Sequence, residues 1–507
     1  MRDPMTAGLD PLYAAPEMRE CDRWAIEERR VPSLELMERA AQGLADVTAG
    51  VAPEGLVVLV CGAGNNGGDG FAAARILHEA GREVRVVLAG DPGKVSGDAA
   101  ENLRRLTIPV GPWDPSELEG ASVVVDALLG TGFSGAVRGV VGEAVRALAA
   151  APAPVVACDV PSGVDASTGE VEGPAVRAVA TATFHGPKIG LWVAPGKSYA
   201  GDVHVVEIGI PDGAPVTASA ALIAPAVTDA LPLRSPDSTK FSSGHVLVCG
   251  GSTGLSGAPS MAAEAAMRAG AGYVTACVPR SLNTVFEVRL TEVMSIPLPD
   301  EDGHLTPAGA DAVLGEAERR GGALIVGPGF GRADGSVTLA RDLVARARVP
   351  LVLDADGLNA HAGAIERLAS RPAPTVITPH AGELGRLLDV DSRAIGRRRL
   401  HFAREAARRA GAVVVLKGDD SIVAEPAGRV AVSRGGAGAL ATAGTGDVLS
   451  GVVAAALAVV EDPFVATCAA VELHRRAGRL AAADVGAAEG VIASDVIAAL
   501  PRARAAR

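Results

Sequence analysis

Short apolar runs bounded by glycine, proline and aspartate recur along the chain, and the stretches between them carry apolar positions at helical spacing. Residues 15–49 predict two helices, with Pro32-Ser33 between them as a start signal. A strand is then expected at 56–61, a glycine-rich turn at 62–70, a helix at 71–80 closed by Gly81, and a strand at 84–88. Further strands are expected at 123–126, 155–159 and 203–208. Strands alternating with helices imply a parallel sheet covered on both faces. From Pro211 to Thr239 the chain turns rich in Pro, Ala, Ser and Thr and loses this alternation, so a domain boundary is expected there. The pattern restarts at 245–249 and continues through 273–278, 323–326, 351–353, 375–378 and 413–417. The expected architecture is therefore two-domain α/β, with residues 1–230 in one domain and 231–507 in the other.

Composition narrows the function classes. Of 507 residues, 48% are apolar and 21% charged, which supports buried cores and excludes wholesale disorder. The net charge of −12 and the few aromatics (8 Phe, 3 Trp, 3 Tyr) argue against a nucleic-acid surface or an anionic membrane as partner. No apolar run approaches the roughly 20 residues that span a bilayer. The first 30 residues carry no apolar stretch of the signal-peptide type. The six cysteines are scattered without a C-x-x-C pair, the usage of reduced thiols in a cytoplasmic protein. With 62 glycines and 33 prolines, many glycines are expected in defined turns.

The first such turn runs Cys61-Gly62-Ala63-Gly64-Asn65-Asn66-Gly67-Gly68-Asp69-Gly70. It contains G-x-G-x-x-G, alone a weak dinucleotide signal, but two amides and an acid exceed what a plain turn needs. Asp126 closes a valine run ahead of Gly130-Thr131-Gly132-Phe133-Ser134-Gly135, and Asp159 closes another ahead of Pro161-Ser162-Gly163-Val164-Asp165. In an open parallel sheet the carboxyl ends of strands line one crevice, where Asn66, Asp126, Asp159 and Ser162 can converge.

These runs, with Leu36–Ala41 (LMERAA) and Phe184–Leu191 (FHGPKIGL), resemble the YjeF N-terminal domain, the NAD(P)H-hydrate epimerase family, over nearly the whole first half. The resemblance implies a Rossmann-like three-layer α/β domain that binds hydrated NADH or NADPH through Asn65, Asn66, Gly67, Gly68 and Asp69. It also implies ligand contacts from Gly130, Thr131, Gly132, Phe133, Ser134, Gly135, Ala136 and Asp159. A potassium ion is implied among Asn66, Asp126 and Ser162. Inverting C6 of the hydrated nicotinamide means losing and regaining water through a planar iminium, which needs a proton donor and acceptor. Asp159 and Lys188 are the candidates; the competing readings are a turn acid and a solvated lysine.

In the second half, Gly250–Ala258 is a small-residue turn before a helix expected at 259–268. Ala443-Gly444-Thr445-Gly446-Asp447-Val448-Leu449-Ser450-Gly451 heads an apolar helix expected at 448–460. Backbone N–H groups at a helix start form an anion site, so 444–446 can hold a phosphoryl group while Asp447 takes a hydroxyl proton. This loop resembles the ribokinase-like superfamily. Its ordered companions, GPGFG at 327–331, DADGLN at 354–359, TPHAGE at 378–383 and LKG at 416–418, resemble the ADP/ATP-dependent NAD(P)H-hydrate dehydratase family. That likeness implies hydrate contacts from Ala258, Gly329, His380 and Asp447, and adenine-nucleotide contacts from Lys417, Gly418, Asp419, Asp420, Ser421 and Gly446. His380 as a core histidine and the Asp354/Asp356 pair as a capping turn are the competing readings.

Together the two resemblances imply a fused repair enzyme. The first domain would interconvert the R and S hydrates, and the second would dehydrate the S form with ADP, giving AMP and phosphate. Mg²⁺ is expected with the nucleotide. Small molecules are the expected partners, with self-association into a homo-oligomer. The rival readings are a ribokinase-like kinase for a vitamin-precursor alcohol with an accessory first domain, and a first half that is a scaffold.

Overall fold

The computed structural model describes residues 8–506 and divides them into two compact units, 11–220 and 221–506 together with 8–10. In the first unit, seven strands form one parallel sheet in the order Val110–Pro112, Val84–Leu88, Leu56–Cys61, Ala121–Ala127, Val155–Cys158, Ala180–Phe184, Asp202–Val206. Leu56–Cys61 is apolar at every position because it is covered on both faces. Val57, Leu59 and Cys61 meet Leu36, Leu44 and Phe71 on one side, and Val58 and Val60 meet Ala144, Val145 and Leu148 on the other. Chain order runs outward from the neighbours Leu56–Cys61 and Ala121–Ala127, so their carboxyl ends form the topological switch point of the sheet.

The second unit repeats the plan on a larger scale. Its sheet runs from edge strand Met294–Leu298 through Tyr273–Pro279, His245–Cys249, Ala323–Val326, Leu351–Leu353, Thr375–Ile377 and Val413–Leu416, all parallel. It continues through Ile422–Ala424 and Val430–Val432, both paired antiparallel, to Ala220–Ile223 and Leu9–Leu12. Val246 and Val248 pack with residues of helices Gly257–Ala269, Thr445–Leu457, Pro463–Val485 and Ala493–Ala505. The switch point here lies between His245–Cys249 and Ala323–Val326. No helix among the described residues is long and apolar enough to cross a membrane.

Three expectations change. The boundary falls at 220/221 rather than 230, because Ala220–Ile223 pairs in parallel with Val430–Val432 and Pro225–Ala230 follows it into the second unit. Residues 8–10 also belong to that unit, and 1–7 lie outside the described residues. The segment 62–70 is not a turn throughout: helix Asn65–Glu79 starts inside it, leaving only 62–64 as the connection. Likewise the last-loop helix starts at Thr445 and ends at Leu457.

The glycines in Asn65–Glu79 serve close packing. A Cβ on Gly67 would lie 1.8 Å from the Gly62 carbonyl oxygen, and one on Gly70 2.7 Å from Cys61 Sγ and Ala127 Cβ. Gly64, by contrast, has open space around its Cβ direction. Gly67→Ala is therefore expected to destabilise the first unit by on the order of 3 kcal/mol, and Gly64→Ala by less than about 0.5 kcal/mol. Thermal melts of the two variants check this; equal melting temperatures would contradict the packing role.

Candidate active sites

At the first switch point a cavity of about 770 Å³ opens. Its walls come from the strand-end loops and from helices Ala15–Arg23 and Ser33–Val51. Asn65, Asn66, Asp69, residues 130–134, Asp159 and Lys188 line it. Among the described residues Gly67, Gly68, Gly135 and Ala136 do not; the first two lie buried in the helix.

Asp159 follows strand Val155–Cys158 with φ +67°, the left-handed region, which turns its carboxyl toward the cavity. Lys188 Nζ lies 2.7 Å from Asp159 Oδ1, with both side chains buried. The same ammonium donates to the Phe184 carbonyl at 2.7 Å. Thr131 N–H donates to Asp159 Oδ2 at 3.2 Å, and the Thr183 hydroxyl to Oδ1 at 3.3 Å. A Cβ on Gly130 would stand 2.9 Å from Asn66 Oδ1 and 3.3 Å from Asp159 Oδ2, so only glycine lets these groups approach. The surface-lysine reading of Lys188 is thus wrong: it is 1% exposed.

Beneath this floor Asp126 is fully buried. It accepts from the Ser162 hydroxyl at 2.7 Å, Ser162 N–H at 2.8 Å and Leu128 N–H at 3.3 Å. Burial pushes its carboxyl up to about 6, against the pull of those donors. Ser162 Oγ in turn accepts from Leu129 N–H at 3.0 Å. The buried Nδ2 of Asn66 has no partner.

In the second unit, helix Thr445–Leu457 begins after Gly444 at φ +90°, and no side chain caps it. The Thr445 hydroxyl fixes the turn by donating to the Leu440 and Thr442 carbonyls at 2.7 and 2.8 Å. Beside this start Lys417 Nζ lies 3.0 Å from Asp354 Oδ1 and 3.6 Å from Glu383 Oε2, and the Ser450 hydroxyl donates to Asp354 Oδ2 at 2.7 Å. A Cβ on Gly446 would be 3.5 Å from Lys417 Nζ. Burial opposes the charge on Lys417, yet Asp354 and Glu383 hold it above the usual lysine range. Burial, with Asp354, pushes the Asp447 carboxyl up to about 7, although Lys417 pulls the other way.

The remaining predicted residues differ in their surroundings. His380 is no core histidine: its side chain is 55% exposed. It caps helix Ala381–Leu388, its Nδ1 accepting from Gly382 N–H at 2.9 Å, while Glu383 accepts from His380 N–H at 2.8 Å. Nδ1 must therefore be unprotonated, which leaves the proton on Nε2. Gly329, at φ +66°, sits against Leu255 and Pro259, next to Ala258 at the start of Gly257–Ala269. Asp420 pairs with buried Arg399 at 2.9 Å, Asp419 accepts from Gly436 N–H at 2.7 Å, and the Ser421 hydroxyl donates to the Gly418 carbonyl at 2.7 Å. These contacts hold the 417–421 turn in shape. Asp356 takes Gly331 N–H at 3.0 Å, and so ties two loops.

Sequence reasoning missed Asp22 and Arg19, which reach the first cavity from helix Ala15–Arg23, and Arg399 behind the second loop. The signal for Asp22 was an acid between Met18 and Ile26 on one helical face.

Two α/β units carry polar and glycine loops at the carboxyl ends of their strands, and the first encloses a cavity of nucleotide size. Residues 33–190 match the family model of the YjeF-related protein N-terminus, and residues 246–502 that of NAD(P)H-hydrate dehydratase. The chain is 42% identical to the bifunctional NAD(P)H-hydrate repair enzyme Nnr of Salinibacter ruber, over 98% of this chain and 96% of that one. It is 39% identical to the protein of the same description from Moorella thermoacetica, over 97% and 96%. The chain belongs to the family of bifunctional NAD(P)H-hydrate repair enzymes. Among solved structures it resembles an ADP/ATP-dependent NAD(P)H-hydrate dehydratase from Bacillus subtilis, co-crystallized with ATP/Mg²⁺. The identity is 30% and the TM-score 0.46, covering 55% of this chain and 94% of that one.

Proposed function

We propose that this chain repairs hydrated NADH and NADPH in two steps, its first unit interconverting the R and S hydrates and its second dehydrating the S form with ADP. The observation that carries the second step is Asp447, whose carboxyl is pushed up to about 7 at an uncapped helix start beside Gly446 and Lys417. Hydroxide leaves C6 poorly. Asp447 takes the C6 hydroxyl proton as the oxygen attacks the terminal phosphoryl group of ADP. The helix N–H groups and Lys417 hold the charge that develops. The C6–O bond then breaks with phosphate as leaving group, the ring nitrogen supplying the electron pair. Loss of a C5 proton restores the dihydropyridine, leaving AMP and phosphate. Asp354, its two oxygens engaged by Lys417 and Ser450, fixes that lysine beside Gly446, and a Mg²⁺ ion arriving with the nucleotide would neutralise phosphate charge.

In the first unit Asp159 and Lys188 carry the proton transfers of water loss and return. The residues under them suit a potassium ion. Asp126 is a buried carboxyl with no ion pair among the described residues, hydrogen-bonded to the Ser162 hydroxyl, and Asn66 brings an amide oxygen to the neighbouring Gly130 loop, so all three offer oxygen donors. Asn66, Asp126 and Ser162 would hold the ion, which would supply positive charge near the substrate.

Because the Asp126 carboxyl lies above its unfolded value, ionising it on the way to neutral pH weakens the fold, and a bound cation offsets that loss. K⁺ is thus expected to raise the melting temperature of the first unit above that in tetramethylammonium at equal ionic strength. The difference should fade as pH falls through about 6. Equal melting in both salts at pH 8 would contradict the site.

For the second site, kcat/KM of dehydration is expected to rise with pH through about 7 as Asp447 loses its proton. A flat profile from pH 5.5 to 8 would remove Asp447 from that role.

The test of the reading is stoichiometry. Hydrated NADH and ADP should yield dihydronicotinamide absorbance, AMP and phosphate in equal amounts. No recovery, alongside phosphorylation of a vitamin-precursor alcohol, would favour the kinase reading.

A further inference from the structure

Inverting a carbon that bears a hydroxyl requires proton donation on the face the hydroxyl leaves and proton acceptance on the face water returns to; otherwise the ring must turn within its pocket. Asp159 and Lys188 stand 2.7 Å apart and so act at a single point of the cavity. The same cavity is lined by two further carboxyls on other elements, Asp22 from helix Ala15–Arg23 and Asp69 from helix Asn65–Glu79. Asp69 is 8% exposed. Neither carboxyl makes a hydrogen bond or ion pair among the described residues, whereas Asp159 and Lys188 already satisfy one another.

Both carboxyls stand among charged neighbours in the cavity. Asp22 faces Lys188 and Asp159, and Asp69 faces Asp159, Asp22 and Lys188; Arg19 and Asp98 complete the charged lining. Burial pushes Asp22 up to about 6, with Asp159 adding to the rise and Lys188 opposing it. Burial pushes Asp69 well above the carboxylate range, with Asp159 and Asp22 adding. Burial and neighbouring acids thus favour the protonated form of both carboxyls, which are free to exchange a proton with a ligand in the cavity.

We propose that Asp22 and Asp69 form a second proton station in the first cavity, serving the face of C6 opposite to the one served by Asp159 and Lys188. The proposal rests on the epimerase reading and specifies how inversion is achieved. In one direction the Asp22/Asp69 pair protonates the C6 hydroxyl. The C–O bond breaks with water as leaving group, and the ring nitrogen's electron pair forms the iminium. A second water adds to the other face and gives its proton to Asp159. The reverse direction exchanges the roles, and no redox partner is needed.

The experiment follows each purified epimer of hydrated NADH in ¹⁸O-water without ADP, separating the epimers and weighing the label. The wild-type full chain inverts each epimer, one solvent oxygen entering per inversion. In Asp22→Asn the inversion rate falls by at least about 100-fold, yet one epimer still exchanges its C6 oxygen without inverting, because the Asp159–Lys188 station works alone. Asp22→Glu regains inversion. A structural role for Asp22 would lower exchange and inversion together, and that result overturns the proposal. So does wild-type inversion by Asp22→Asn, which leaves the epimerase reading standing. If the wild type itself inverts neither epimer, both readings fall. Should Asp22→Asn not fold, Asp22→Ser is read by the same outcomes.

Discussion

Asp447→Asn is expected to lower kcat for ADP-dependent dehydration by on the order of 10³-fold, while ADP binding stays within about threefold of wild type. The substitution keeps the shape of the side chain and removes only its capacity to take a proton. The uncapped start of helix Thr445–Leu457 and Lys417, itself fixed by Asp354, remain in place to hold phosphate. Loss should therefore appear in kcat rather than in nucleotide affinity, as expected for an interaction made only in the transition state. Single-turnover kinetics with a separate ADP titration reads both quantities. Normal turnover in this variant would remove Asp447 from the chemistry.

Lys188→Met is expected to have the largest effect on the first unit, on stability and activity together. Lys188 and Asp159 are a buried pair at 2.7 Å, and removing the ammonium leaves the carboxylate with one amide and one hydroxyl as donors. Breaking a buried pair from one side costs about 3–5 kcal/mol, so the first unit should melt well below wild type and epimerise no faster than solution. The double variant Lys188→Met/Asp159→Leu separates the two effects. With no stranded charge it should regain much of the lost stability and none of the activity. Epimerisation by the double variant would show that the pair is structural only.

The sequence made the central strands legible because Leu56–Cys61, His245–Cys249 and Ala323–Val326 are apolar without interruption, as strands covered on both faces must be. Ile422–Ala424 and Val430–Val432 are three residues long, too short to show a period. Ala180–Phe184 mixes small residues and threonines, so no apolar run marks it as a strand. The start of helix Asn65–Glu79 was hidden because glycines there read as a turn. They are instead required by the contact of Gly67 with Gly62 and of Gly70 with Cys61 and Ala127. That residues 8–10 and 221–230 join the second unit depends on long-range packing that no local pattern encodes.

The sites were more legible than the fold's edges. Polar residues inside glycine loops at strand ends have few structural uses, which singled out Asn66, Asp126, Asp159, Ser162 and Asp447. The structure brings Asp159 to Lys188 across 29 residues and Ser162 to Asp126 across 36. What the motifs could not convey is support and enclosure. Asp420 serves Arg399, His380 serves as a helix cap, and Asp22 arrives from a helix that reads as ordinary amphipathic sequence.

If the two sites on this chain act in series on one substrate, purified R-hydrate of NADH incubated with the full chain and ADP should be converted completely, read as dihydronicotinamide absorbance. Lys188→Met should recover that absorbance only as fast as R converts to S in solution, and should recover it at full speed from the S-hydrate. Equal rates from R-hydrate with and without Lys188 would show that the first site takes no part.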